Sequence, residues 1–447
     1  MQARRLTIMG TVVAAALALT TAACSSNGTT GTAGQHQHVI SVFGTDGIMS
    51  NGFGDTVKVA GVLNGVSGTA ALNPPNPQFS HELTRLDPSL DDFSYAGQAY
   101  DAALIVALAA DMAHSVKGTD IAKYIDAVTS GTVTCTSYST CLHDIAKGDR
   151  IAYRGITITS GFTKAGEPST ASYGTLHFGS DNHLDPQKTE FVNAGDDANA
   201  ASSTLAPVTP GMAYNGPAMK LGLLLPETGF LSEQGKPIIA GAHYAVKEIN
   251  AAGGVLGKPL TSDLVNDGST IDKTAKAGAE KLVGDGVSAI VGPAASGTAA
   301  NDVLPVTMKA GVVIISPSAT SASLSTIPSH GLFFRTAPSD ILQSQALADV
   351  ITRTGAQRVY IVARNDTYGL PFAKTVTADL EQDGVPAANI VTTTYPGSVE
   401  QTSTQAWNAI AAKVKASGAD AVLPIGYEET SGLIVALSAA GLTFSQN

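Results

Sequence analysis

"VISVFGTDGIMS", residues 39–50, decides how the chain is to be read. Val39 to Phe43 has the continuous apolar character of a strand buried on both faces of a parallel sheet. Gly44-Thr45-Asp46-Gly47 is the tight turn that ends it. A strand of this kind sits inside an α/β sheet with neighbours on both sides. Before it, however, residues 25–37 are rich in Ser, Gly, Thr and Gln and read as a solvated tether. Its neighbours must come from later in the chain.

Further back, Arg4 and Arg5 precede an apolar run from Ile8 to Leu19 and then Thr20-Thr21-Ala22-Ala23-Cys24. Residues 1–24 have the shape of a secretory signal, too short for a stable membrane span. Small residues before Cys24 resemble a bacterial lipoprotein cleavage site, which implies lipidation of Cys24 and anchoring to the outside of the cell membrane. Thr21 stands where that pattern prefers Leu, so plain secretion with an incidental Cys24 is the alternative. In an exported chain, the even pair Cys135 and Cys141 of "CTSYSTC" is expected to form a small-loop disulfide.

The net charge of −11, which becomes −13 once Arg4 and Arg5 are lost, argues against nucleic acid or an anionic membrane surface as partner. The 447 residues are enough for two or three domains. From residue 218 the pattern is regular. "MKLGLLLP", "VSAIVGP", "VVIISPS", "RVYIVARND", "NIVTTTYP" and "DAVLPIG" read as strands. Helices are expected at 272–286, 298–311, 340–355, 370–384, 403–418 and 428–441, after a first one ending at Gly253-Gly254. This alternation predicts parallel sheets covered by helices on both faces. After the last helix a further strand is owed, and Val39–Phe43 is the strand that fills the place.

Residues 38–190 do not repeat this pattern. Strands are expected at "VKVAGVLNG", "GITITSG" and "YGTLHF", with one long helix through "AYDAALIVALAADMAH". Residues 191–217 lack amphipathic period and read as a linker.

The stretches "LGLLLPETGF", "GAHYAVKEINAAGGVLGKPL", "LVGDGVSAIVGPAASGTAA", "GVVIISPSATS" and "FFRTAPSD", in this order, resemble the first half of the branched-chain amino-acid-binding proteins. These are solute receptors of ABC importers with the type I periplasmic-binding fold. "RVYIVARNDTYG" and "DAVLPIGYEET" continue the resemblance. Residues 38–190 resemble the second half, through "GTDGIMS", "FSYAGQAYDAALIVALAA", "YRGITITSGFTKAGEP" and "YGTLHF". The halves stand in reversed order, as in a circular permutant whose linker joins the family's two ends. A linker of 27 residues reaches about 90 Å when extended, ample for that join. The resemblance implies an α/β protein of two Rossmann-like lobes joined by a three-strand hinge. One lobe is expected from about 55–160 plus 218–337, the other from about 38–54, 161–190 and 338–447. A fused pair of non-functional remnants, or a dimer in which halves pair between chains instead of a monomer, are the alternatives.

A zwitterion held in such a cleft needs both charges satisfied. By resemblance, Ser296 and Thr320 hold the ligand carboxylate, and Ser318 offers a carbonyl to the ammonium, with Ala319 in the same loop. Asp46 of the facing lobe binds the ammonium. Tyr368 and Tyr427 close over the ligand, and Tyr95 borders its side chain. Gln234 replaces an aromatic the family often has, which opens the site to a polar or amide-bearing ligand. An ABC permease is the implied partner, and a ligand sensor uncoupled from transport is the rival reading. Enzyme motifs are missing: no G-K-[ST] follows "GPAASGTA", "HELTR" has no second His, and no Ser-His-Asp set stands at strand ends. No cofactor and no metal are expected.

Overall fold

Five buried residues of the strand Lys220–Leu225, whose lysine faces solvent, show how the chain builds its first sheet. Leu221, Leu223 and Leu225 face one layer of helices, Ala96–Ala113 and Ser232–Ala251, while Leu224 faces Thr274–Gly284 and Leu304–Ala310 on the other side. Burial on both faces is what a run of leucines allows and a polar alternation does not. Five parallel strands lie in the order Phe333–Arg335, Val313–Ser316, Ala289–Val291, Lys220–Leu225 and Thr261–Asn266.

The computed structural model describes residues 38–269, 273–397 and 403–445. The signal segment, Cys24 and the tether 25–37 lie outside the described residues. A second sheet runs Ile390–Pro396, Val359–Asn365, Ala421–Ile425, His38–Gly44, Val66–Ala71, Thr170–His177 and Glu190–Gly195, with Leu442–Phe444 also paired to the opening strand. Its joins are parallel until the last two, which are antiparallel. The opening strand thus sits between strands more than three hundred residues apart in sequence, with Val42 opposite both Val422 and Val66. Phe43 joins the core under Asp340–Arg353 and Gly369–Gln382, and Val42 the core under Thr404–Ser417 and Ser431–Ala439.

Helix Ala96–Ala113 is buried along all its length. No single helix among the described residues is long and apolar enough to cross a membrane. Cys135 and Cys141 are disulfide-bonded, beside a small sheet of Val133–Cys135 and Ile151–Tyr153.

The structure departs from the sequence expectations in several places, beginning with Thr261–Asn266 and Phe333–Arg335, two strands of the first sheet that the sequence pattern does not mark. "VKVAGVLNG" is a turn, with Gly61 and Gly65 at φ +66° and +90°, and the strand is the less apolar Val66–Ala71 that follows. Central burial overrides its weak strand propensity. "GITITSG" is no strand either: its backbone wraps the buried Asp101 carboxylate, which accepts from the N–H of Ile156 at 3.0 Å, Thr157 at 2.7 Å and Ile158 at 3.2 Å. The expected linker begins too early, because Glu190–Gly195 is an edge strand whose exposure leaves it few apolar residues. Strand Val66–Ala71 belongs to the eight-stranded sheet, so the lobe boundary falls near residue 72 instead of 55. The final helix is followed by its own short strand, Leu442–Phe444, parallel to His38–Ile40. Between the sheets the chain crosses at 72–76, 154–169 and 336–339, where a three-strand hinge is expected, and again through 196–219.

Candidate functional site

Parallel strands deliver their C-terminal ends to a common edge, and the two sheets here turn those edges toward each other. Asp46 follows His38–Gly44, Tyr368 follows Val359–Asn365, and Tyr427 follows Ala421–Ile425. From the five-stranded lobe, Ser296 follows Ala289–Val291, Ser318 and Thr320 follow Val313–Ser316, and Gln234 lies in the helix after Lys220–Leu225. These seven, with Tyr95, Gly47, Leu231 and Ala294, line one cavity between the lobes. Its volume open to the centre of a water-sized sphere is about 10 Å³, roughly the room for one water. The lobes therefore have to separate for anything larger to enter.

The Asp46 carboxylate is 6% exposed and accepts hydrogen bonds from Tyr95 Oη at 2.7 Å and Tyr368 Oη at 2.8 Å. Burial pushes its carboxyl up, opposed by the hydroxyls of Tyr95 and Tyr368. With its one proton given to Asp46, Tyr368 Oη accepts from the Thr45 hydroxyl at 2.8 Å, and its ring stacks on Tyr427 with ring centres 5.1 Å apart. Tyr427 in turn lies on Arg364, 5.1 Å from its ring centre. Arg364 is anchored by Asp366 at 2.6 Å and Glu429 at 2.7 Å, and Phe230 reaches across from the other lobe to cover it at 5.4 Å. Gly47 has no alternative: a Cβ there would stand 2.3 Å from the carbonyl oxygen of Gly426.

On the opposite wall, Ser296 Oγ accepts from the Ser321 N–H at 3.1 Å, leaving its own proton to donate. Ser318 Oγ donates to the Ala294 carbonyl at 3.2 Å. Gln234 Nε2 donates to the backbone carbonyl of Asp46 at 3.0 Å, so it ties the lobes together instead of standing free for a ligand. Ala319 does not line the cavity. It is fully buried, and its carbonyl accepts from Arg335 Nη1 at 3.0 Å.

Four supporting residues carry no local signal in the sequence. Arg335, buried against Glu167 at 2.5–2.9 Å, also donates to the Ser321 carbonyl at 2.9 Å, and so fixes the loop that presents Ser318 and Thr320. Glu167 is 168 positions away, beyond the reach of any spacing rule. Asp267 accepts from the N–H of Ser269 at 2.7 Å and Ala294 at 3.1 Å, and burial raises its carboxyl to about 7. Asp340 is fully buried at the start of a helix, where sequence reading sees only a cap. Burial and then the Asp46 charge push its carboxyl far up, against Thr320 and Arg335.

The cavity thus offers a buried negative pole on one wall and hydroxyl groups on the other, a pairing suited to a small dipolar molecule.

Residues 218–447 match the family model described as periplasmic binding protein. The Leu/Ile/Val-binding protein BraC3 of Rhizobium johnstonii is 31% identical over 219 residues, covering 48% of this chain and 56% of that protein. A leucine-, isoleucine-, valine-, threonine- and alanine-binding protein of Pseudomonas aeruginosa is 30% identical over 220 residues, with the same coverage of 48% and 56%. The chain spans about half the length of the curated relatives it matches. Among solved structures, the branched-chain amino acid transporter substrate binding protein LivJ of Streptococcus pneumoniae, in complex with isoleucine, is 29% identical. Its TM-score is 0.41, and the match covers 47% of this chain and 57% of that one.

Proposed function

Since the chain belongs to the periplasmic binding protein family, we propose that its interlobe cleft captures a small α-amino acid, branched-chain or related, by closure of the lobes. Asp46 and the backbone carbonyl of Ser318 take the ammonium, and the hydroxyls of Ser296 and Thr320 take the carboxylate. One observation carries this reading. Eight of nine residues selected from sequence alone, drawn from seven separate loops and helices, line a single buried cavity. Binding works by population shift: a ligand that touches both walls favours the closed arrangement by its differential contacts.

The protein is an exported binding protein, not an enzyme, held to the cell membrane through lipid on Cys24 and handing its ligand to an ABC permease. The two halves of the fold stand in circularly permuted order. The place of His38–Gly44 between Ala421–Ile425 and Val66–Ala71 in one sheet supports this, and supports a working domain over a pair of remnants. Calorimetry of the mature protein against all twenty amino acids is the test. At least one should bind, and Asp46→Ala should weaken it more than tenfold. Heat from none of the twenty overturns the amino-acid reading.

A further inference from the structure

Behind Tyr95 lies a second cavity, and Asp46 and Tyr95 are walls of both. By the same measure that gives about 10 Å³ for the polar cavity, this one holds about 290 Å³. Its lining is largely apolar, with Ala71, Leu72, Phe79, Phe93, Ile156 and Leu176 among the walls, and the crossings at 72–76 and 154–169 border it. An apolar cavity of roughly 150 Å³ already admits a benzene ring. The room that the closed cleft lacks in front of Tyr95 therefore exists behind it.

Tyr95 is held in an unusual way. Its backbone has φ +59°, the left-handed region, which costs a non-glycine residue on the order of 1–3 kcal/mol and persists only where the surroundings impose it. The side chain is 4% exposed, and its hydroxyl donates to Asp46 Oδ2 at 2.7 Å. The partition between the cavities is thus one phenol on one carboxylate.

We propose that the cavity behind Tyr95 is the side-chain subsite of the cleft, and that the preferred ligand is an α-amino acid with a bulky apolar, above all aryl, side chain. This rests on the amino-acid reading of Asp46. The ligand ammonium takes over the carboxylate from the Tyr95 hydroxyl, a charged donor displacing a neutral one. Freed of that bond, the Tyr95 ring moves aside, and the side chain enters apolar surroundings whose fixed walls favour large over small groups.

Calorimetry with alanine, leucine and phenylalanine tests this, on wild type and on Leu72→Trp and Thr189→Trp, which place an indole in the cavity from two sides. Wild type should bind phenylalanine at least tenfold more tightly than alanine. Both variants should lose at least tenfold for phenylalanine while alanine stays within twofold. Thr189 lies in a partly exposed stretch, so its variant keeps the test open if Leu72→Trp melts early. Equal affinity for alanine and phenylalanine, or equal losses for both in Thr189→Trp, overturns the subsite and leaves the amino-acid reading standing. Heat from none of the three in wild type overturns the subsite; whether the amino-acid reading falls with it is then decided by the remaining seventeen.

Discussion

Glu428 stands half-buried where the lobes meet, with Glu233 of the facing lobe and Glu429 beside it. Burial first, then those two charges, raise its carboxyl from an ordinary 4.5 to about 8. The sign follows from linkage: the folded protein holds this proton more tightly than the unfolded chain does. Its cost is nil below about pH 4.5, grows as the pH rises toward about 8, and is complete above that. Stability should fall across that window, and Glu428→Gln should flatten the fall by at most about 1.4 kcal/mol per pH unit, the limit set by one proton. Urea unfolding at several pH values between 5 and 8 reads this directly, and an unchanged slope in the variant would refute it. At this scale the sequence was informative about direct lining, because turn and loop residues after buried strands are readable. It was silent on support: nothing in "APSD" marks Asp340 as a buried charge, and nothing ties Arg335 to Glu167. Ala319 lies in the expected loop but off the cavity wall, its carbonyl turned to Arg335, a partner that no local pattern announces.

Elements were legible where burial is two-sided. The apolar strands from 220 onward and the helices between them appear within a few residues of expectation, because parallel sheets demand continuous apolar runs. Legibility failed at Val66–Ala71, made of small residues in the sheet centre, at the exposed edge Glu190–Gly195, and at Thr261–Asn266 and Phe333–Arg335, the two edges of the five-stranded sheet. Helix Asn51–Thr56 shows how an element shapes the cleft. It meets helix Ser232–Ala251 across the lobes at Gly52, where a Cβ would stand 2.7 Å from the Cβ of Glu233. Neither atom is the end of a flexible chain, so a side chain at 52 wedges the lobes apart. Gly52→Val should weaken ligand binding about tenfold while changing the thermal midpoint of the ligand-free protein by only a few degrees. Calorimetry and a melting curve on the same sample separate the two. Wild-type affinity in the variant would mean that binding does not need this closure.

For the molecule as a whole, the decisive fact is how the segments on either side of 196–219 share their structure. The eight-stranded sheet takes four strands from residues 38–195 and four from residues 359–444. The five-stranded sheet comes wholly from the second segment, yet helix Ala96–Ala113 of the first fills one of its faces. Three of the four buried cores draw on both segments, and the fourth, around Leu224 and Ile314, lies wholly in the second. The connection itself is exposed for much of its length, and rests on the surface through contacts such as Val208 N–H to the Met112 carbonyl at 2.7 Å. Cutting it removes a covalent tether but no layer of the fold. A specific protease site inserted after Gly211 should therefore allow complete cleavage without dissociation. The nicked protein should elute as one species in native size exclusion, separate into two fragments only in denaturant, and bind its ligand within a few-fold of the intact chain. Spontaneous separation would show that the segments do not form one cooperative domain, and with it the permuted-halves reading would be lost. Light scattering on the uncut protein completes the test: a clean monomer places both segments of the eight-stranded sheet in one chain, whereas a dimer that shares halves would give twice the mass.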